Sequence, residues 1–263
     1  MTVSLVRAGT TGDSDGSYHQ ILSAEQEPQV GLTFGVWRMA PGTGATLVSR
    51  DSETAALVFS GSGTLAANSQ VVAFARPDWL ETAPTVLHCC AGDSIEATNH
   101  GDQVAEVFVV QTPNPSRFAS RFYRPGDVQI EHRGQGILQG TCHRIVRLVF
   151  DDSNGPPESN LVLGEVVNFA GRWSSYPPHS HPQPEIYYYR FNPANGYGHG
   201  ELGDEVFKIQ SGDLLAITQN RSHCQVSAPG YNMYYLWAVR HLEGSRYKGF
   251  EFDPQHIWTL QRK

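Results

Sequence analysis

The segment 171–191, GRWSSYPPHSHPQPEIYYYRF, concentrates the side chains best suited to chemistry. His179 and His181 are separated by one residue, and on an extended strand residues i and i+2 point to the same face. Both imidazoles can therefore reach one point. Glu185 follows after a gap of three residues and opens an aromatic run, which brings a carboxylate within range. Downstream, GDLLAITQNRSH runs from Gly212 to His223. That length suits a strand, a tight turn and a return strand, and it can carry a third imidazole back to the same place. Three imidazoles and a carboxylate suit a divalent cation, with zinc the first choice and manganese, iron or nickel the alternatives. A lone His would read as a locally hydrogen-bonded residue; the combined spacing is what favours a metal.

These side chains need a scaffold, and the composition indicates which. The chain has 263 residues, 40% hydrophobic and only 17% charged, with 26 Gly and 16 Pro. Charged residues average about 25% in globular domains. Long solvated helices need Lys, Glu and Arg, so the shortage argues against a helical bundle. Aromatic residues at 11% exclude a disordered chain. Short runs such as 105–111 (AEVFVVQ), 161–169 (LVLGEVVNF), 185–191 (EIYYYRF) and 234–239 (YYLWAV) alternate with Gly, Pro, Asn and Asp, which predicts an all-β sandwich or barrel. One short helix is expected at 116–123, where Phe118 and Phe122 stand four apart, and another after the Asp253-Pro254 pair.

A boundary is expected near 112–127, where Pro, Ser and Arg interrupt the strand rhythm, giving domains of 1–125 and 126–263. The halves share a rhythm. VFSGSGTL (58–65) reads as a strand, a Gly turn and a return strand, then HCCAGDSIEA; the YYYRFNPANGYG hairpin is followed by SGDLLAITQNRSHCQV. The second half resembles the cupin signature, with HxH, a spaced Glu, and a second motif from Gly-Asp to His. Thr218 and Asn220 stand where that motif usually has Pro and Gly, and Asn tolerates the left-handed backbone such a turn needs. In the first half the corresponding Glu and His positions fall at Thr54 and Ile95. The N-terminal barrel is thus expected to be a cupin without a metal site. His88, Cys89 and Cys90 are consecutive and alternate faces, so they read as packing.

The strings WSSYPPHSH, EIYYYRF, NGYG, SAPGYNMYYL and FDPQHIW resemble a bicupin family, the 5-deoxy-glucuronate isomerases of myo-inositol catabolism with the related 4-deoxy-5-hexosulose-uronate ketol-isomerases. The resemblance runs along most of the chain and implies two tandem cupin barrels, with metal ligands His179, His181, Glu185 and His223. It departs at Thr218 and Asn220, in a shorter loop before Glu185, and at Trp237, where Asn is usual. The activity implied is aldose–ketose isomerisation of a deoxy-uronic acid. Glu185, Tyr187, Tyr189 and Tyr235 are the candidate catalytic groups. If Glu185 faces the metal, Tyr187 and Tyr189 share its face. Arg144, Arg172 and Arg221 are candidates for the substrate carboxylate.

A net charge of −7 argues against nucleic-acid binding and means that an anionic sugar needs a local cationic pocket. No apolar run approaches the length of a membrane span, and the opening residues lack an apolar signal core. Four Cys without a CxxC make a disulfide framework improbable, so a cytoplasmic enzyme acting on a small sugar acid is expected, with a homo-oligomer allowed. The competing classes are a cupin dioxygenase, which would consume oxygen, a non-catalytic sugar-acid binder, and a ketol-isomerase of a pectin-derived uronate.

Overall fold

The computed structural model describes residues 4–7 and 15–262. Among them the regular structure is β-strand, apart from short 3-10 turns at Pro125–Asp127, Leu138–Gly140 and Ile257–Gln261. Among the described residues no helix is long and apolar enough to cross a membrane. The chain forms two compact units, and both are assembled from separated pieces. One contains Gln129–Leu148, the segment from Val162 onward and the strand Leu5–Arg7; the other contains the segment up to Val128 together with Val149–Leu161. The division expected near residue 125 did not include these two exchanged segments.

In the N-terminal unit one strand of 16 residues, Ser52–Ala67, organises the sheet. Its first part pairs with Val86–Cys89 and Ala105–Pro113, and its second part with Gln70–Arg76 and Ser94–Asn99. The Gly turn expected within VFSGSGTL is instead a register shift between Val58 and Ser60. Gly61 follows at φ +106°, where an added Cβ would lie 2.6 Å from that of Ala105. The strand therefore bends without reversing. Its interior is apolar, including Leu47, Leu65, Ala67, Ile95 and Val107.

The helix expected at 116–123 is absent. Arg121–Tyr123 is a strand paired with Val86–His88, placing Phe122 opposite Leu87. Phe122 packs on the apolar interior, whereas the Phe118 ring lies 4.9 Å from that of His88. The two phenylalanines cover opposite faces of one strand, which a helix presenting both on a single side could not do.

The C-terminal unit has two sheets. The larger runs in the order Leu5–Arg7, Asp213–Ile217, Glu185–Asn192, Asn232–Arg240, Leu161–Asn168, Arg144–Phe150, Gln129–Arg133; the smaller in the order Glu205–Gln210, Tyr197–Leu202, His223–Ser227, Trp173–Ser180, Glu251–Phe252. The expected YYYRFNPANGYG hairpin is a crossover, because Glu185–Asn192 and Tyr197–Leu202 belong to different sheets. Between the sheets lies a core that includes Tyr187, Tyr189, Leu215 and Tyr235 from one and Leu202 and Ile209 from the other. After Asp253-Pro254 the chain makes a turn, with the Asp253 carboxylate accepting from the Gln255 N–H at 2.9 Å, before the 3-10 segment at Ile257.

Candidate metal centre

His179 lies near the end of strand Trp173–Ser180, in register with His223 at the start of the adjacent strand. Glu185 opens the facing sheet, between Ile217 and Val239. The return to His223 passes through Gln219 and Asn220, both left-handed (φ 61° and 54°). Asn220 thus adopts the left-handed backbone for which this turn usually carries Gly.

The ligand atoms of His181, Glu185 and His223 lie within 4.8 Å of one another, and all three residues are buried. His181 Nε2 is 3.1 Å and His223 Nε2 3.4 Å from Glu185 Oε2. The His179 ring stands beside that of His223, with centroids 4.4 Å apart. A carbonyl oxygen only accepts, which assigns two tautomers. His179 Nδ1–H donates to the Ser175 carbonyl at 3.1 Å, and His223 Nδ1–H to that of Arg221 at 3.0 Å. Their Nε2 lone pairs are left free. The Ser175 carbonyl reaches His179 because the strand carries a register irregularity between Ser174 and His179, with Ser175 at φ 52°.

This chemistry fits a cation. With Nδ1–H committed to a carbonyl, the His223 Nε2 and the Glu185 carboxylate meet as two acceptors in a dry site, so a proton or a metal cation has to lie between them. Backbone carbonyls orienting ligand imidazoles are the usual outer support of such centres. Burial would raise the Glu185 carboxyl, but the hydrogen bonds and charges of His181 and His223 outweigh it and hold it at about 2. Burial, aided by the charge of His223, pushes His179 down to about 3. The group is compatible with a divalent metal.

Behind it lies a layer of hydroxyls. The Tyr235 hydroxyl is 2.6 Å from Ser174 Oγ and 3.3 Å from Ser175 Oγ, which is 3.4 Å from the Tyr187 hydroxyl. Gln225 donates to Ser175 Oγ at 3.0 Å and accepts from the Tyr189 hydroxyl at 3.1 Å. Burial raises the phenols of Tyr187, Tyr189 and Tyr235, so all three are neutral donors. Tyr188 and Arg190 belong to the other face, where the Arg190 guanidinium lies 4.7 Å from the Tyr188 ring centroid. Trp237 is in register with Tyr187, and its ring covers Gly164, where a Cβ would approach it to 2.4 Å.

The three candidate arginines are placed differently. Arg144 is buried and donates to the carbonyls of Cys142 (2.8 Å) and Tyr176 (3.1 Å). Arg172 donates to His143 Nδ1 at 3.0 Å and lies over Phe169. Arg221 is engaged by Glu205 and the Leu202 carbonyl, and only its backbone serves the site, through His223.

Sequence reasoning missed the aromatic cover. The Tyr247 ring lies 5.0 Å from His181 and that of Phe250 4.2 Å from His179. Gln183 anchors this segment by donating to the Ser245 carbonyl at 3.0 Å. The string SRYKGFEF gave only an alternating aromatic pattern, with nothing local to tie it to the imidazoles.

Two cupin-type barrels, one enclosing a buried imidazole–carboxylate group, define a bicupin with a candidate metal centre. The KduI/IolB family model matches residues 5–259, and the chain belongs to the KduI/IolB family. It is 26% identical over 248 residues to a 5-deoxy-glucuronate isomerase of Geobacillus kaustophilus, covering 88% of this chain and 86% of that one. To the 5-deoxy-glucuronate isomerase of Bacillus subtilis (strain 168) it is 27% identical over 279 residues, covering 99% and 94%. Among solved structures, an IolB-like protein from Salmonella typhimurium LT2 superposes with a TM-score of 0.84 at 22% identity, covering 98% of this chain and 100% of that one. A Lactobacillus farciminis oxalate decarboxylase gives 0.67 at 12% identity, covering 97% and 92%. At these identities the two structures establish the shared fold.

Proposed function

We propose that the chain is a 5-deoxy-glucuronate isomerase, converting that aldose to the ketose 5-dehydro-2-deoxy-gluconate with a divalent metal held by His179, His181, Glu185 and His223. The observation that carries this reading is the convergence of His181, Glu185 and His223 ligand atoms within 4.8 Å, in a family whose named relatives include isomerases of this kind. When bound, the ion supplies Lewis acidity to the carbonyl and hydroxyl of the sugar, which acidifies the intervening C–H.

The side chains have separable tasks. Glu185, held at about 2, stays ionised at neutral pH; it is a good ligand and a poor base. Tyr187 and Tyr235 present neutral O–H groups joined through Ser175. They are assigned to donating hydrogen bonds to the sugar oxygens where negative charge develops; being neutral, they do not themselves take the proton from carbon. Tyr189 donates to Gln225, which donates to Ser175, so it is a positioning residue. Tyr247 and Phe250, packed on the ligand imidazoles, exclude water from them. Arg144, buried and bonded to carbonyls alone, is the strongest of the three arginines for the carboxylate; Arg221 is the weakest, being paired already.

Metal content measured alongside an NMR assay of 5-deoxy-glucuronate, with the pectin-derived keto-uronate run in parallel, tests the assignment. The expected result is stoichiometric divalent metal and conversion of the first sugar. His181→Ala should lose metal uptake and lower kcat/KM by about 10³-fold or more, with the β-sheet circular dichroism unchanged. Full activity in metal-depleted His181→Ala protein would overturn the mechanism. Oxygen consumption during turnover would indicate a dioxygenase.

A further inference from the structure

A chain of net charge −7 has to hold an anionic sugar, and the edge of the larger C-terminal sheet offers more than Arg144 alone. Strand Gln129–Arg133 pairs antiparallel with Arg144–Phe150, and Arg133 stands directly opposite Arg144. Directly opposed residues share a face of the sheet, and like charges so placed repel. That face is the inward one, because Val146, two residues from Arg144, belongs to the core cluster with Tyr187 and Tyr235.

The two guanidinium groups are satisfied in different ways. Arg144 bonds to the carbonyls of Cys142 and Tyr176 and, among the described residues, to no carboxylate, and Tyr176 lies three residues before His179 on the strand that carries it. Arg133 is held by Glu131, two residues away on the same face, with contacts of 3.2 and 2.6 Å. Its side chain is 38% exposed and that of Glu131 58%. Arg133 also lies close enough for its charge to act on Tyr235 and Tyr247, the latter meeting the His181 ring edge-on. Exposed ion pairs contribute little and exchange readily. Bidentate guanidinium–carboxylate contacts shielded from water are stronger.

We propose that Arg133 and Arg144 form a two-armed cradle for the carboxylate of the sugar acid, and that Glu131 occupies Arg133 until the substrate displaces it. Arg144 is the fixed inner arm and Arg133 the exchangeable outer arm. The cradle rests on the isomerase reading and names how that site recognises a uronate. It also resolves the opposed positive charges, since one substrate carboxylate bridges both arms.

Steady-state kinetics on the metal-loaded full chain test it. Arg133→Gln should raise KM for 5-deoxy-glucuronate by about 10- to 100-fold, the loss expected for charge-assisted hydrogen bonds, with kcat changed by less than about threefold. Glu131→Gln removes the same ion pair from its other side and should lower KM by roughly two- to fivefold. If the pair were only structural, both variants would move KM in the same direction or leave it alone, and either result overturns the cradle. Titration calorimetry with D-glucuronate separates this from the functional reading. If the wild-type protein shows no isomerisation, the isomerase assignment fails. The cradle then still stands if glucuronate binds more weakly to Arg133→Gln and more tightly to Glu131→Gln, and falls if wild type does not bind it or the variants bind it equally.

Discussion

His179 and His223 are each held in one orientation, because each commits Nδ1–H to a main-chain carbonyl and leaves Nε2 free. Preorganisation has a cost that pH should reveal. Burial and the neighbouring His223 lower His179 from its ordinary 6.5 to about 3. Between those values the unfolded chain binds a proton that the folded chain refuses. Stability contributed by the neutral ring is therefore complete above pH 6.5 and lost progressively as pH falls toward 3. Thermal unfolding of metal-free protein should show stability falling below pH 6.5 by up to about 1 kcal/mol per pH unit. His179→Gln should flatten the part between pH 6.5 and 5, where ordinary carboxylates contribute little; an unchanged slope would contradict the assignment. The imidazole–carboxylate group was legible because HxH has the period of a strand and Glu185 follows at short range. Tyr247 and Phe250 were not, since a loop brings them against the imidazoles through tertiary contacts that no local spacing encodes.

The two barrels show how one arrangement of strands carries different contents. In the C-terminal unit His223 pairs with His179 on one side and Leu202 on the other; in the N-terminal unit Ile95 pairs with Leu47 and Ala67 in the same manner. The corresponding interior is therefore Leu47 and Ile95, within an apolar cluster. The polar network of the N-terminal unit lies elsewhere. The Glu53 carboxylate, wholly buried, accepts from His88 Nε2 at 2.6 Å, from Asn114 and the Asn160 N–H at 2.7 Å, and from Ser159 Oγ. Burial would raise its carboxyl, but these partners outweigh it and lower it. Phe150 stacks on His88 at 4.2 Å, so the network pins both ends of segment 149–161. Glu53→Gln, which replaces an acceptor by a donor among donors, should cost about 3 kcal/mol in urea unfolding and speed proteolysis at 151–158, with metal uptake retained. Strand rhythm was sufficient to identify the β architecture. It could not reveal whether a Gly-rich corner bends or reverses, nor that Phe118 and Phe122 part to opposite faces, because both depend on what the neighbouring strands leave uncovered.

At the scale of the molecule, the strand Leu5–Arg7 closes the edge of the sheet that carries Glu185. It pairs with Asp213–Ile217, the Ser4 carbonyl accepts from the Ala216 N–H at 2.8 Å, and Arg7 meets Asp213 at 2.5 Å. Removing residues through Arg7 would expose Asp213–Ile217, an apolar strand, as an unprotected edge. The shortened protein should melt several degrees lower, roughly 2 °C for each kcal/mol lost in a chain of this size, and should aggregate in light scattering. A truncation matching wild type in both would show that the strand is dispensable.

The chain passes four times between membership of one unit and of the other: 4–7, 15–128, 129–148, 149–161 and 162–262 fall alternately in the C-terminal and N-terminal units. Neither barrel is therefore encoded by one uninterrupted stretch of gene. Recombination at a single point, which can splice or discard an ordinary tandem domain, would here sever both barrels at once. The barrel with the apolar interior is in this sense inherited with the other as a single heritable unit.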